Sequence, residues 1–131
     1  MAYTINWTDT GVYVTSYGIV KTEDVISVIN TLIADSRFDS LTYILKDFKN
    51  VTEFILNEED LKLISSLTKT PIKWNPRIKS CFVTANTELQ NIFYQFIEIM
   101  KETKWEMKIF DSNKNALKWC TQDQNTIKNK A

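Results

Sequence analysis

The side chains with chemical capacity fall into three groups. Glu53, Glu58, Glu59 and Asp60 form an acidic cluster. Carboxylates this close in sequence could ligate a hard cation or divide acid and base roles between them. Three of them are consecutive, however, and consecutive helical residues point in different directions. The cluster therefore reads as a helix start whose charges suit the helix dipole. Lys69, Lys73, Arg77 and Lys79 surround Trp74, the one basic stretch with an aromatic that could stack on a base or grip a phosphate. Sixteen Lys and Arg balance sixteen Asp and Glu, so no global field draws the chain to nucleic acid or anionic lipid. This stretch reads as a solvated loop with Trp74 folded over a helix edge. Cys81 and Cys120 are too far apart in sequence for a zinc motif or paired thiols and read as reduced, with Cys81 buried and Cys120 the more exposed. There is no histidine, which removes the usual base near neutral pH and the commonest metal ligand. Two glycines exclude a glycine-rich phosphate loop. No metal or cofactor, and no catalytic residue, is expected.

The elements that position these groups follow from periodicity. Tyr3, Ile5 and Trp7 alternate with polar residues, the period of a half-buried strand, and 12–17 repeats the pattern. Asp9-Thr10-Gly11 between them predicts a hairpin turn with Gly11 at positive φ. Thr22 is the predicted N-cap of a first helix, whose stripe is Val25, Ile26, Ile29, Leu32 and Ile33. Residues 41–48 are nearly continuously apolar, as in a central strand covered on both faces, and 50–52 form a polar turn. Asn57 caps a second helix with Asp60 as its capping-box partner. Leu61, Ile64 and Leu67 face inward there, and Thr70-Pro71 ends it. Residues 78–85 are a fourth strand. A third helix, capped by Asn86 or Thr87, carries Leu89, Ile92, Phe93, Phe96, Ile97 and Met100 at helical spacing. Residues 105–110 are a fifth strand, and Asp111 or Ser112 caps a short last helix. The order ββαβαβαβα predicts one α/β domain over 1–121, with a mixed, mostly parallel five-stranded sheet and four helices. Residues 122–131 have little to bury and read as a frayed tail. No basic leader and no run near the ~20 apolar residues of a membrane span occurs, which predicts a cytoplasmic protein.

Two stretches carry a family resemblance. Ile44-Leu45-Lys46-Asp47-Phe48-Lys49-Asn50-Val51-Thr52 resembles the strand ending in Asp and Val-Thr turn of SpoIIAA-like proteins, within the STAS fold of sulfate transporters and anti-sigma factor antagonists. The closing Lys108 to Trp119 is similar to that family's apolar strand reaching Phe and helix with Ala-Leu-x-Trp. The resemblance implies a bacterial, non-enzymatic, regulatory or binding domain. One difference is large: the family's phosphorylated Asp-Ser-Ser-Gly stretch corresponds here to Glu53-Phe54-Ile55-Leu56-Asn57-Glu58-Glu59-Asp60, without serine or glycine. The kinase switch is not carried over.

Two surfaces follow as expectations. Asp47, Asn50, Thr52, Asn57 and Glu58 lie where the third strand leads into the second helix, a place where ligands gather in open sheets. They are read as a protein-partner surface, against the plainer reading that Asp47 and Thr52 bond loop amides. Phe93, Phe96, Ile97 and Met100, with Tyr94, could instead line a pocket for a small apolar or lipid-like molecule, since SpoIIAA-like domains resemble the CRAL-TRIO lipid-transfer fold in outline. The plainer reading is core covering the sheet.

Overall fold

A computed structural model describes residues 2–122, so the predicted tail lies outside the described residues except for Gln122. The opening alternation produces β1 (Tyr3–Trp7) antiparallel to β2 (Gly11–Lys21), with Tyr3 opposite Ser16 and Trp7 opposite Val12. The tight turn closes as Thr8 N–H donates to Gly11 O at 2.8 Å. Gly11 is not at positive φ; Gly18, at 66°, is the described residue that is. Gly11 is needed for space instead, because a Cβ there would overlap the Tyr43 ring.

The remaining elements are α1 (Thr22–Ala34), a 3-10 turn at Ser36–Ser40, β3 (Tyr43–Ile55), α2 (Glu58–Trp74), β4 (Lys79–Val83), α3 (Thr87–Ile99), β5 (Glu106–Phe110) and α4 (Asn113–Cys120). Asn57, Asn86 and Ser112 cap α2, α3 and α4 as their side-chain oxygens accept from the N3 amides. Thr22 does not cap α1. Lys21 holds that position, and its N–H donates to Asp24 Oδ2 at 2.9 Å.

Helix α2 does not stop at Thr70-Pro71 but runs on to Trp74 with Pro71 inside it. Proline costs an interior helix one amide bond. Here Pro71 and Ile72 are buried, and buried Asn75 anchors the end: its Nδ2 donates to Phe38 O and Leu41 O, both at 2.9 Å, and Trp105 Nε1 donates to its carbonyl at 2.7 Å. The buried stripe runs through Leu61, Ile64, Ser65, Thr68, Pro71 and Ile72. Thr68 is buried, while Leu67 is exposed.

The sheet order is β1-β2-β3-β4-β5, with β1 antiparallel and the others parallel. This is the predicted mixed α/β architecture, and β3 is central. Right-handed crossovers that always step the same way place α1, α2 and α3 on one face. Ile44 and Phe48 of β3 and Phe82 of β4 meet Leu32, Leu61, Ile64, Phe93 and Phe96 there. The alternate residues Tyr43, Leu45, Cys81 and Val83 meet Ala116 and Cys120 of α4 on the other face. Strand order never reverses, so the crevice that a reversal opens in doubly wound sheets is not formed here.

Candidate functional site

The region after Phe48 is not the predicted turn. Strand β3 continues through Asn50, Val51 and Thr52 to Ile55, because β2 also runs on to Lys21 and the two stay paired: Tyr17 with Asn50, Ile19 with Glu53, Lys21 with Ile55. Two register shifts, between Thr15 and Tyr17 and between Gly18 and Ile19, absorb the mismatch. β1 leaves β2 at Ser16, and β4 leaves β3 at Asp47, so this extension is a ribbon of two strands. Val20 and Phe54, paired to each other, turn towards the helices. Period-2 alternation therefore puts Ile19, Lys21, Glu53 and Ile55 on the other side. Tyr17, Ile19 and Ile55 are 41%, 52% and 47% exposed, three of the eight large hydrophobics exposed among the described residues.

The five predicted binding residues separate into fixed and free groups. Asp47 is buried and fully engaged: Oδ1 accepts from Lys49 N–H at 2.9 Å, Oδ2 accepts from Asn113 Nδ2 at 3.0 Å, and Lys49 Nζ lies 3.8 Å away. It ties the first turn of α4 to β3. Asn57 is tied up in a reciprocal capping box, with Oδ1 accepting from Asp60 N–H at 2.8 Å and its own N–H donating to Asp60 Oδ2 at 3.2 Å. Asn50 and Thr52 are exposed on the ribbon itself, and Glu58 is exposed at the start of α2. No three His, Cys, Asp or Glu side chains among the described residues converge as cation ligands.

The basic stretch is dispersed by the fold. Trp74 stands 60% exposed instead of folding over the helix edge. Lys79 opens β4 and is buried on the α4 face, where its ammonium donates to Trp119 O at 3.1 Å and sits 5.2 Å over that indole. Arg77 donates to Asp39 O. Cys120 is buried, not exposed, because α4 lies flat on the sheet, and its Sγ is 3.3 Å from Cys81 Sγ. Their hydrogen bond drives the Cys81 thiol up and the Cys120 thiol down, with Lys79 adding to the fall at Cys120. Only the crossing of α4 over β4 reveals this pair; their spacing of 39 residues carries no signal.

The fold is shared with solved structures of low sequence identity. SpoIIAA, an anti-sigma factor antagonist solved in its unphosphorylated form, matches at 12% identity and TM-score 0.57, over 88% of this chain and 94% of that one. The chain has a SpoIIAA-like fold. A candidate anti-sigma factor antagonist from Thermotoga maritima matches at 11% identity and TM-score 0.62, over 92% and 95% of the two chains. An uncharacterised SpoIIAA-like protein from Shewanella loihica matches at 20% identity and TM-score 0.53, over 91% and 92%. No protein-family model and no curated protein sequence matches the chain.

In this SpoIIAA-like fold the three-helix face is an aromatic core. Phe93 lies 4.6 Å from Phe82 and 4.7 Å from Phe48, ring centre to ring centre, and Phe96 meets Phe82 edge-on. Phe93, Phe96 and Met100 are buried, and Ile97 is partly buried against them. The stripe is therefore core, and the cavity it borders is only about 70 Å³, too small for a lipid chain. Sequence reasoning missed Lys46, whose alternation on β3 points it into this core. Its ammonium lies 4.4 Å over the Phe82 ring, and burial pushes its pKa down to about 8, although part of the side chain keeps contact with solvent. The signal was legible: a lysine between Ile44 and Phe48 on the same face of a central strand.

Proposed function

We propose that this chain is a non-enzymatic regulatory domain that binds a protein partner through the outer side of the β2–β3 ribbon and the adjoining start of α2. The bare apolar trio Tyr17, Ile19 and Ile55 carries the reading. Apolar surface rimmed by polar groups is the usual mark of a protein interface, and Asn50, Thr52, Glu53 and Glu58 supply that rim. The SpoIIAA-like fold supports a regulatory role, since one solved structure that shares it is an anti-sigma factor antagonist and another a candidate one. Phosphorylation is not part of the proposal. The first turn of α2 carries Glu58, Glu59 and Asp60, and a phosphate added there would be repelled.

Photo-crosslinking in the source cells tests this. A benzophenone side chain at Ile55 is expected to capture one discrete protein. The same group at Glu102, an exposed residue following α3, is not, and Ile19→Asp should abolish the product. Identical products from both positions, or none from Ile55, would sink the reading.

A further inference from the structure

We propose that the space around Lys46 binds a small monocarboxylate with a short apolar tail. The carboxylate pairs with the Lys46 ammonium, and the tail lies between the sheet and helices α1 and α2.

The first ground is charge. Lys46 points beneath the helices, and the ion pairs among the described residues are Asp35–Arg37, Asp47–Lys49 and Glu98–Lys101, none of which includes it. A partly buried ammonium without a counter-ion is costly, and the ring of Phe82 offsets that cost only in part. An anion supplied from outside completes the pair.

The second ground is space. Lys46 lines two cavities of about 70 Å³ each, which also share Val25, Phe48 and Thr68 as walls. The first is closed further by Val14, Ile29 and Trp105. Each exceeds the roughly 10–15 Å³ that one water needs by several fold, yet both are far too small for a membrane lipid. The walls select an apolar tail. Ser16 is buried on the wall of the first cavity and brings a hydroxyl that can donate to a second carboxylate oxygen. Asp24 is the one acid lining either cavity, and its Oδ2 already accepts the Lys21 N–H at 2.9 Å. The site faces away from the exposed ribbon surface, so it stands or falls independently of the partner reading.

The probes are hexanoate, hexanol and dodecanoate, followed by amide and indole chemical shifts in solution. Hexanoate should give saturable shifts at Val14, Lys46, Thr68 and the Trp105 indole, at least tenfold tighter than hexanol. Lys46→Met should remove that tenfold preference. Dodecanoate should bind more weakly than hexanoate, because the cavities are short. Equal affinity for hexanoate and hexanol would overturn the proposal, and this comparison needs no variant to fold. So would a preference that survives Lys46→Met, shifts confined to the α4 face, tighter binding of dodecanoate, or no saturable shift with hexanoate.

Discussion

The two faces of the sheet treat neighbouring charges in opposite ways. Lys46 and Asp47 are consecutive on β3, so the pleat sends one to each face. Lys46 enters an aromatic core under three helices and finds a ring but no ion-pair partner among the described residues. Asp47 enters the narrow layer under α4 and finds a backbone amide, an asparagine and a lysine. The thick face is held by apolar area. The thin face, covered by an eight-residue helix, adds specific polar ties: Asp47 to Asn113, Lys79 to the Trp119 carbonyl, and one thiol to the other. A short helix buries too little to be held by packing alone. It needs directed bonds, whereas the three-helix face tolerates an ill-matched charge.

The sharpest way to break this contrast is at the thick face. Phe93→Ala should cost roughly 3–5 kcal/mol in urea unfolding, because the ring is central to the aromatic cluster and its loss leaves a cavity. On the thin face, oxidation by a diazene or by hydrogen peroxide should join Cys81 to Cys120, both thiols losing a proton and an electron to the oxidant. The mass falls by two hydrogens, and the link should stabilise the chain by about 2–4 kcal/mol. Cys120→Ser should prevent it.

Lys46→Met should raise stability by about 1–3 kcal/mol at pH 7, since an apolar side chain replaces an unpaired, partly buried charge. The wild type should show a matching pH dependence. Its folded pKa, about 8, lies below the unfolded 10.5, so the penalty is complete below pH 8 and is relieved as the pH climbs from 8 towards 10.5. Asp24 is the acid on the cavity wall, and Cys81, which acts on Lys46, has its thiol held up by the bond to Cys120. Lys46→Met should remove the rise, and unfolding midpoints at pH 7 and 10 check it.

Asp47→Ala should cost about 1–2 kcal/mol. The loss should be local: amide exchange should speed up in 113–120 while α3 keeps its protection. If both helices exchange faster together, the two layers are not separable. The smallest expected effect is on the ribbon. Ile19→Asp should change stability by less than about 0.5 kcal/mol, because its side chain is 52% exposed, so any loss of partner capture would report binding and not folding.

Much of the fold was legible because it is written in short-range patterns. Tyr3, Ile5 and Trp7 at period two, the stripe from Leu89 to Met100, the cap Asn57, and the caps narrowed to Asn86 or Thr87 and to Asp111 or Ser112 each need only a few neighbouring residues to declare themselves. The misreadings share a cause. Thr52 and Asn50 are turn-like residues, yet they lie in a strand because β2 runs alongside them. Pro71 is a helix breaker, yet the buried clamp at Asn75 carries α2 past it. In each case a distant segment outweighed a local preference.

The chain by itself determined the order of its elements, the caps of α2, α3 and α4 to within a residue, and the α/β class, since periodicity and capping act within a few residues. Only the tertiary structure decided that Cys81 touches Cys120, that Lys46 and Asp47 meet opposite surroundings, and that Tyr17, Ile19 and Ile55 share a bare ribbon. Those outcomes depend on strand register and on which face each helix covers, and such geometry is settled by packing over the whole molecule rather than by neighbours along the chain.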